Sequence, residues 1–120
     1  MADIIDTRRL WRMMQLDVNN INVQDLMVGY IGQSIQRTTT MKDMLEIRNY
    51  DRLGQEARHL ETSASALGLV EIGPICEYII TQCELSPTIH RHRDIEDRIR
   101  LLEGANRRAQ TWVLTYLSHR

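Results

Sequence analysis

Apolar residues recur along most of this chain at steps of three and four, the period of α-helices that bury one side. The clearest run is Leu53, Ala57, Leu60, Ala64 and Leu67, which predicts a central helix beginning near Asn49. Asn49 suits its N-cap and Gly68 suits the C′ position that closes it. At about 100° per residue, Arg58 and Thr62 fall roughly opposite the apolar stripe. Gly54 and His59 flank Arg58, with Gly54 expected on the exposed side one turn before it, and Glu61 lies nearer the boundary.

The remaining elements follow from the same period. Residues 3–16 form a short amphipathic helix with Ile4, Ile5, Leu10, Trp11 and Met14 inward, and Asp6-Thr7 suits a cap at its second turn. Residues 17–22, with three asparagines and one aspartate, read as a turn, and Asn22 is placed to cap the next helix. That helix runs from Val23 to about Arg48, with Met27, Tyr30, Ile31, Ser34, Thr38, Met41 and Leu45 on its buried side. The triplet Thr38-Thr39-Thr40 is its weak spot, because β-branched residues lower helix propensity, and a bend or loosening is expected there.

Beyond Gly68, residues 71–83 predict a helix with Ile72, Ile75, Cys76, Ile79 and Ile80 inward and Gly73-Pro74 in its first turn. Residues 84–90, ELSPTIH, read as a connecting loop around Pro87. A last helix then carries Ile95, Ile99, Leu102, Ala105, Ala109, Trp112, Val113 and Leu117 on one side. Arg93, Arg98, Arg100, Arg107 and Arg108 line the other, mixed with Glu96, Asp97 and Glu103, as on a solvated face laced with ion pairs. The fold class is therefore all-α, one domain over residues 1–120, with a short extra N-terminal helix.

Composition narrows the function. Fifteen basic and sixteen acidic residues nearly cancel, which argues against a generic nucleic-acid or anionic-membrane binder. No apolar run approaches the length of a membrane span, and MADIIDTRRLWRMM lacks a signal-peptide core, so a cytoplasmic protein is expected. Cys76 and Cys83 are seven apart, about 10 Å of rise on one helix, too far for a disulfide between them. Two cysteines without a CxxC, and His90 and His92 on different helical faces, give no metal signature, and no cofactor is implied. Nucleophile elbows, phosphate-cradling glycine loops and HExxH motifs are absent from the sequence, so an enzyme is not expected.

The stretch from Asn49 to Cys76 resembles the histidine phosphotransfer (HPt) domains of bacterial phosphorelays. Those domains carry Ala-His-x-Leu-Lys-Gly-Ser, then a Leu-Gly pair, then a helix with a Leu and a Cys. This chain has Ala57-Arg58-His59-Leu60-Glu61-Thr62-Ser63, then Leu67-Gly68, then Ile72 and Cys76. Asn49-Tyr50 falls where the family commonly has Asp and an aromatic, and Tyr30 matches an aromatic on the preceding helix. The resemblance implies an up-down four-helix bundle of HPt type, with the short extra N-terminal helix lying across its end.

In that register the phosphorylatable position holds Arg58, the lysine position Glu61 and the glycine position Thr62. A guanidinium stays protonated and offers no lone pair for attack on phosphorus. A slip that made His59 the acceptor would bury Arg58 and Glu61 at apolar positions, at a cost of typically several kcal/mol each. The expected function is therefore a module that docks a response-regulator receiver domain or a histidine kinase through Gly54, Arg58, His59, Glu61 and Thr62, without carrying phosphate. Two alternatives remain open: active phosphotransfer through His59, and a helical scaffold or oligomerisation module unrelated to phosphorelay.

Overall fold

The computed structural model describes residues 23–85 and 89–118. The expected helix at 3–16, the turn at 17–22 and Pro87 lie outside the described residues. Within them the chain forms α1 (Val23–Glu46), α2 (Tyr50–Ala66), α3 (Ile72–Glu84) and α4 (Arg91–Ser118), with no strands.

Each helix packs against the next along the chain, and α4 closes back on α1. Cross-helix contacts fix the directions. Arg37 meets Glu56 and Gln33 meets Ser63 between α1 and α2. Thr38 meets Asn106 and Lys42 meets Glu103 between α1 and α4. In each pair one residue number rises as the other falls, so neighbouring helices run antiparallel. The result is a four-helix bundle of up-down order.

The termini explain the connections. Asn49 caps α2 by accepting a hydrogen bond from the Arg52 N–H at 3.1 Å. Gly68 ends α2 at φ 73°, with Gly68 N–H donating to Ser65 O and Leu69 N–H to Ala64 O, the two bonds of a Schellman motif. The end of α1 repeats this pair, Arg48 N–H to Leu45 O and Asn49 N–H to Met44 O, but the left-handed residue is Arg48 at φ 60°. For that reason α1 stops at Glu46, two residues short of the boundary expected from the pattern.

The core lies where the four stripes meet. Met41, Leu53, Leu60, Ile72, Ile79, Ile95 and Leu102 are fully enclosed. Ile75 and Trp112 pack at its edge. α1 continues through the triplet Thr38-Thr39-Thr40, where each hydroxyl donates to the carbonyl four residues back and Thr38 is also held from α4 by Asn106. Thr38 is itself buried and belongs to a polar chain in the core. Tyr30 donates to Asn106 Oδ1, and Asn106 Nδ2 donates to Thr38 Oγ1, both at 3.2 Å. Thr38 donates in turn to Ser34 O at 2.6 Å.

Candidate functional site

The apolar stripe of α2 turns inward as its period demands: Leu53, Ala57, Leu60 and Ala64 are all fully buried. Arg58 consequently projects outward, with its side chain 59 % exposed. It does not stand alone. Its Nη2 pairs with the carboxylate of Glu84, the last residue of α3, which is equally exposed.

Around this pair lies a shallow groove of about 300 Å³ between α2 and α3, lined by Tyr50, Asp51, Gly54, Gln55, Arg58, Ile80, Cys83 and Glu84. Gly54 corrects the expectation from the sequence: it is buried, not on the exposed side. A Cβ there would sit 3.4 Å from Cys83 Cβ, close to ordinary contact distance, so α3 covers this side of α2. The physical reason is that α2 contacts both α1 and α3, which widens its buried arc beyond a single stripe.

The other candidate residues are divided. Glu61, half-buried, and Thr62, exposed, line a second groove of about 440 Å³ with Ser65, Gly73, Pro74 and Glu77. Thr62 Oγ1 donates to Arg58 O at 3.0 Å, which occupies its hydroxyl and leaves its methyl group as added bulk. His59 is exposed, lines neither groove, and has no hydrogen-bond or ion-pair partner among the described residues. It lies about 100° round the helix from Arg58. The structure thus joins Gly54 to Arg58 and Glu61 to Thr62, and sets His59 apart.

Neither cysteine is a free thiolate. Burial pushes Cys76 up to about 12, with the Glu61 charge adding to the effect. Burial likewise raises Cys83 to about 11, opposed by Arg91 and assisted by Asp51. Both thiols therefore stay protonated at neutral pH and are poor nucleophiles.

Two functional neighbours escaped the sequence. Glu84 is one, and its signal was faint: a carboxylate on the last residue of a helix, where a cation is favoured. Arg91 is the other. It is buried, lies 3.7 Å above the Tyr50 ring, and donates to Cys83 O at 3.0 Å. It thereby joins the start of α4 to both helices that frame the groove. Arg91 Nε has no hydrogen-bond partner among the described residues.

A larger groove of about 500 Å³ between α1 and α4 holds charges of both signs. Lys42 pairs with Glu103 at 2.6 Å and Arg100 with Glu96 at 3.2 Å, and Glu46, Arg48 and His92 line the same groove. Among the described residues, no group of three or more His, Cys, Asp or Glu side chains is placed to hold a metal ion. No described helix is long and apolar enough to cross a membrane.

The α2–α3 face thus carries one exposed guanidinium paired with a carboxylate, and two grooves. No model of a known protein family matches the chain, and no curated protein matches it in sequence.

Proposed function

We propose that this protein is a docking module of HPt type that binds a receiver domain or a histidine-kinase dimerisation domain through the outer α2–α3 face and carries no phosphate. The observation that supports this reading most is the placement of Arg58. It is exposed at the position where the phosphotransfer family keeps its acceptor histidine, while Ala57 and Leu60 on either side of the motif are sealed in the core. The four-helix up-down order and the paired caps at Asn49 and Gly68 agree with the same register.

Arg58 can meet the acidic pocket of a receiver in two ways, by pairing with its carboxylates or with an aspartyl phosphate. Its bond to Glu84 does not prevent this, since exposed ion pairs of this kind contribute at most about 1 kcal/mol. Such a module competes with a true phosphotransfer partner and acts as an inhibitor or adaptor. Glu61 at the lysine position and Thr62 at the glycine position shape the rest of the contact.

Calorimetry against the receiver and kinase dimerisation domains of the source organism tests the proposal. Binding by at least one of them, weakened by Arg58→Ala, is the expected result. Affinity that ignores Arg58→Ala removes this residue from the mechanism, and no binding at all removes the function. A second reading rests on the free, exposed imidazole of His59. It requires acid-labile, alkali-stable label on the protein after incubation with a phosphorylated receiver, lost in His59→Gln.

A further inference from the structure

Glu84 breaks a rule of helix stability. It is the last residue of α3, and the final turn of that helix carries no basic residue. The partial negative charge of the carbonyl end therefore faces a carboxylate, where a cation would be favoured. Two cations meet this helix end: Arg91 donates to Cys83 O at 3.0 Å, and Arg58, reaching across from α2, pairs with the Glu84 carboxylate itself. The Arg58–Glu84 pair bridges two helices at the rim of the candidate binding groove.

We infer that the Glu84 carboxylate is a resident occupant of an anion site made by Arg58, so that an acidic group of a partner binds by displacing it. The inference deepens the docking reading above and rests on it for the nature of the partner. Its geometry is that of a latch. Arg58 and Glu84 stand on different helices at one groove and are both more than half exposed. Gly54 and Cys83 line the same groove beside the pair. Asp51 lines the same groove and adds to the negative surroundings that an incoming anion must overcome.

The ligand chemistry is a carboxylate or phosphoryl oxygen presented on a protein surface, because Arg58 holds Glu84 through Nη2 alone and a guanidinium pairs with either oxyanion. Breaking the pair first raises the threshold for binding. Removing the resident carboxylate lowers that threshold by the strength of an exposed ion pair, about two- to fivefold in affinity.

The full-length protein, wild type and as Glu84→Gln, Arg58→Ala and the double variant, is titrated with a beryllofluoride-activated receiver domain. In parallel, the Arg58 side-chain Nε–H resonance is followed by NMR during titration with phenyl phosphate. Glu84→Gln is expected to bind the receiver about two- to fivefold more tightly than wild type, with the gain absent when Arg58 is alanine. Its Arg58 resonance should also respond to phenyl phosphate at lower concentration than in wild type. If Arg58→Ala weakens receiver binding but Glu84→Gln leaves both readouts unchanged, the latch is wrong and the docking reading stands. If no variant binds the receiver, the docking reading fails, and the phenyl phosphate titration alone decides whether Glu84 occupies the anion site. Equal responses of wild type and Glu84→Gln there overturn it.

Discussion

The chain Tyr30–Asn106–Thr38 is a polar joint within the core, and Asn106→Ala tests how much it contributes. All three residues are buried, and Asn106 makes two hydrogen bonds of 3.2 Å, one accepted and one donated. Truncation deletes both, and the Tyr30 hydroxyl is left without an acceptor. Thr38 fares better, since it still donates to Ser34 O at 2.6 Å. A buried donor without a partner costs about 1–3 kcal/mol, and the lost amide bond to Thr38 adds about 1 kcal/mol. The expected loss is therefore about 2–4 kcal/mol in urea unfolding followed by circular dichroism. Tyr30→Phe alone should cost less, about 1 kcal/mol, because it removes the stranded donor itself. The double variant should fall short of the sum of the two, since with Phe at position 30 no hydroxyl remains to be stranded. A loss below about 1 kcal/mol for Asn106→Ala, or strict additivity in the double variant, refutes the idea that these groups satisfy one another.

Two further predictions concern the backbone and the thiols. Arg48 holds a left-handed conformation at φ 60°, where glycine carries no steric penalty, so Arg48→Gly should stabilise the fold by about 1 kcal/mol in the same assay. Its exposed contact with His92 Nδ1 at 3.4 Å is too weak to reverse the sign. Folding raises the thiols of Cys76 and Cys83 from 9.0 to about 12 and about 11. The folded state then binds more protons than the unfolded chain above pH 9, so stability is level below that point and falls as pH rises through the folded-state values. Unfolding free energies measured from pH 7 to 10.5 should show this decline, and Cys76→Ala should make it shallower.

The division between what the sequence revealed and what it concealed follows the range of the interactions. The stripe from Leu53 to Leu67, the Asn49 cap and the Gly68 terminus depend on residues within a turn of one another, and the periodic pattern contains them. The threonines of α1 looked weak because propensity knows nothing of Asn106, which sits on α4 and holds Thr38 from across the bundle. Arg48 looked helical because a left-handed terminus usually announces itself with glycine. Gly54 and Glu84 were hidden for a different reason. Whether a residue at the edge of a stripe is buried, or which carboxylate meets an arginine, depends on how α3 lies along α2. The chain gives the two helices, but their mutual register emerges only when both are packed.

Arg91 carries a consequence for how this sequence can change. Its charge is enclosed and met by one carbonyl and the face of one ring, with Nε unpaired and no carboxylate as partner among the described residues. Position 50 is therefore not free to drift to an aliphatic residue while position 91 remains arginine, because that step strands a cation in the interior. Relatives of this chain should keep the aromatic and the arginine together or lose them together, and a coordinated replacement of both is the evolutionary trace by which this corner of the bundle can be recognised.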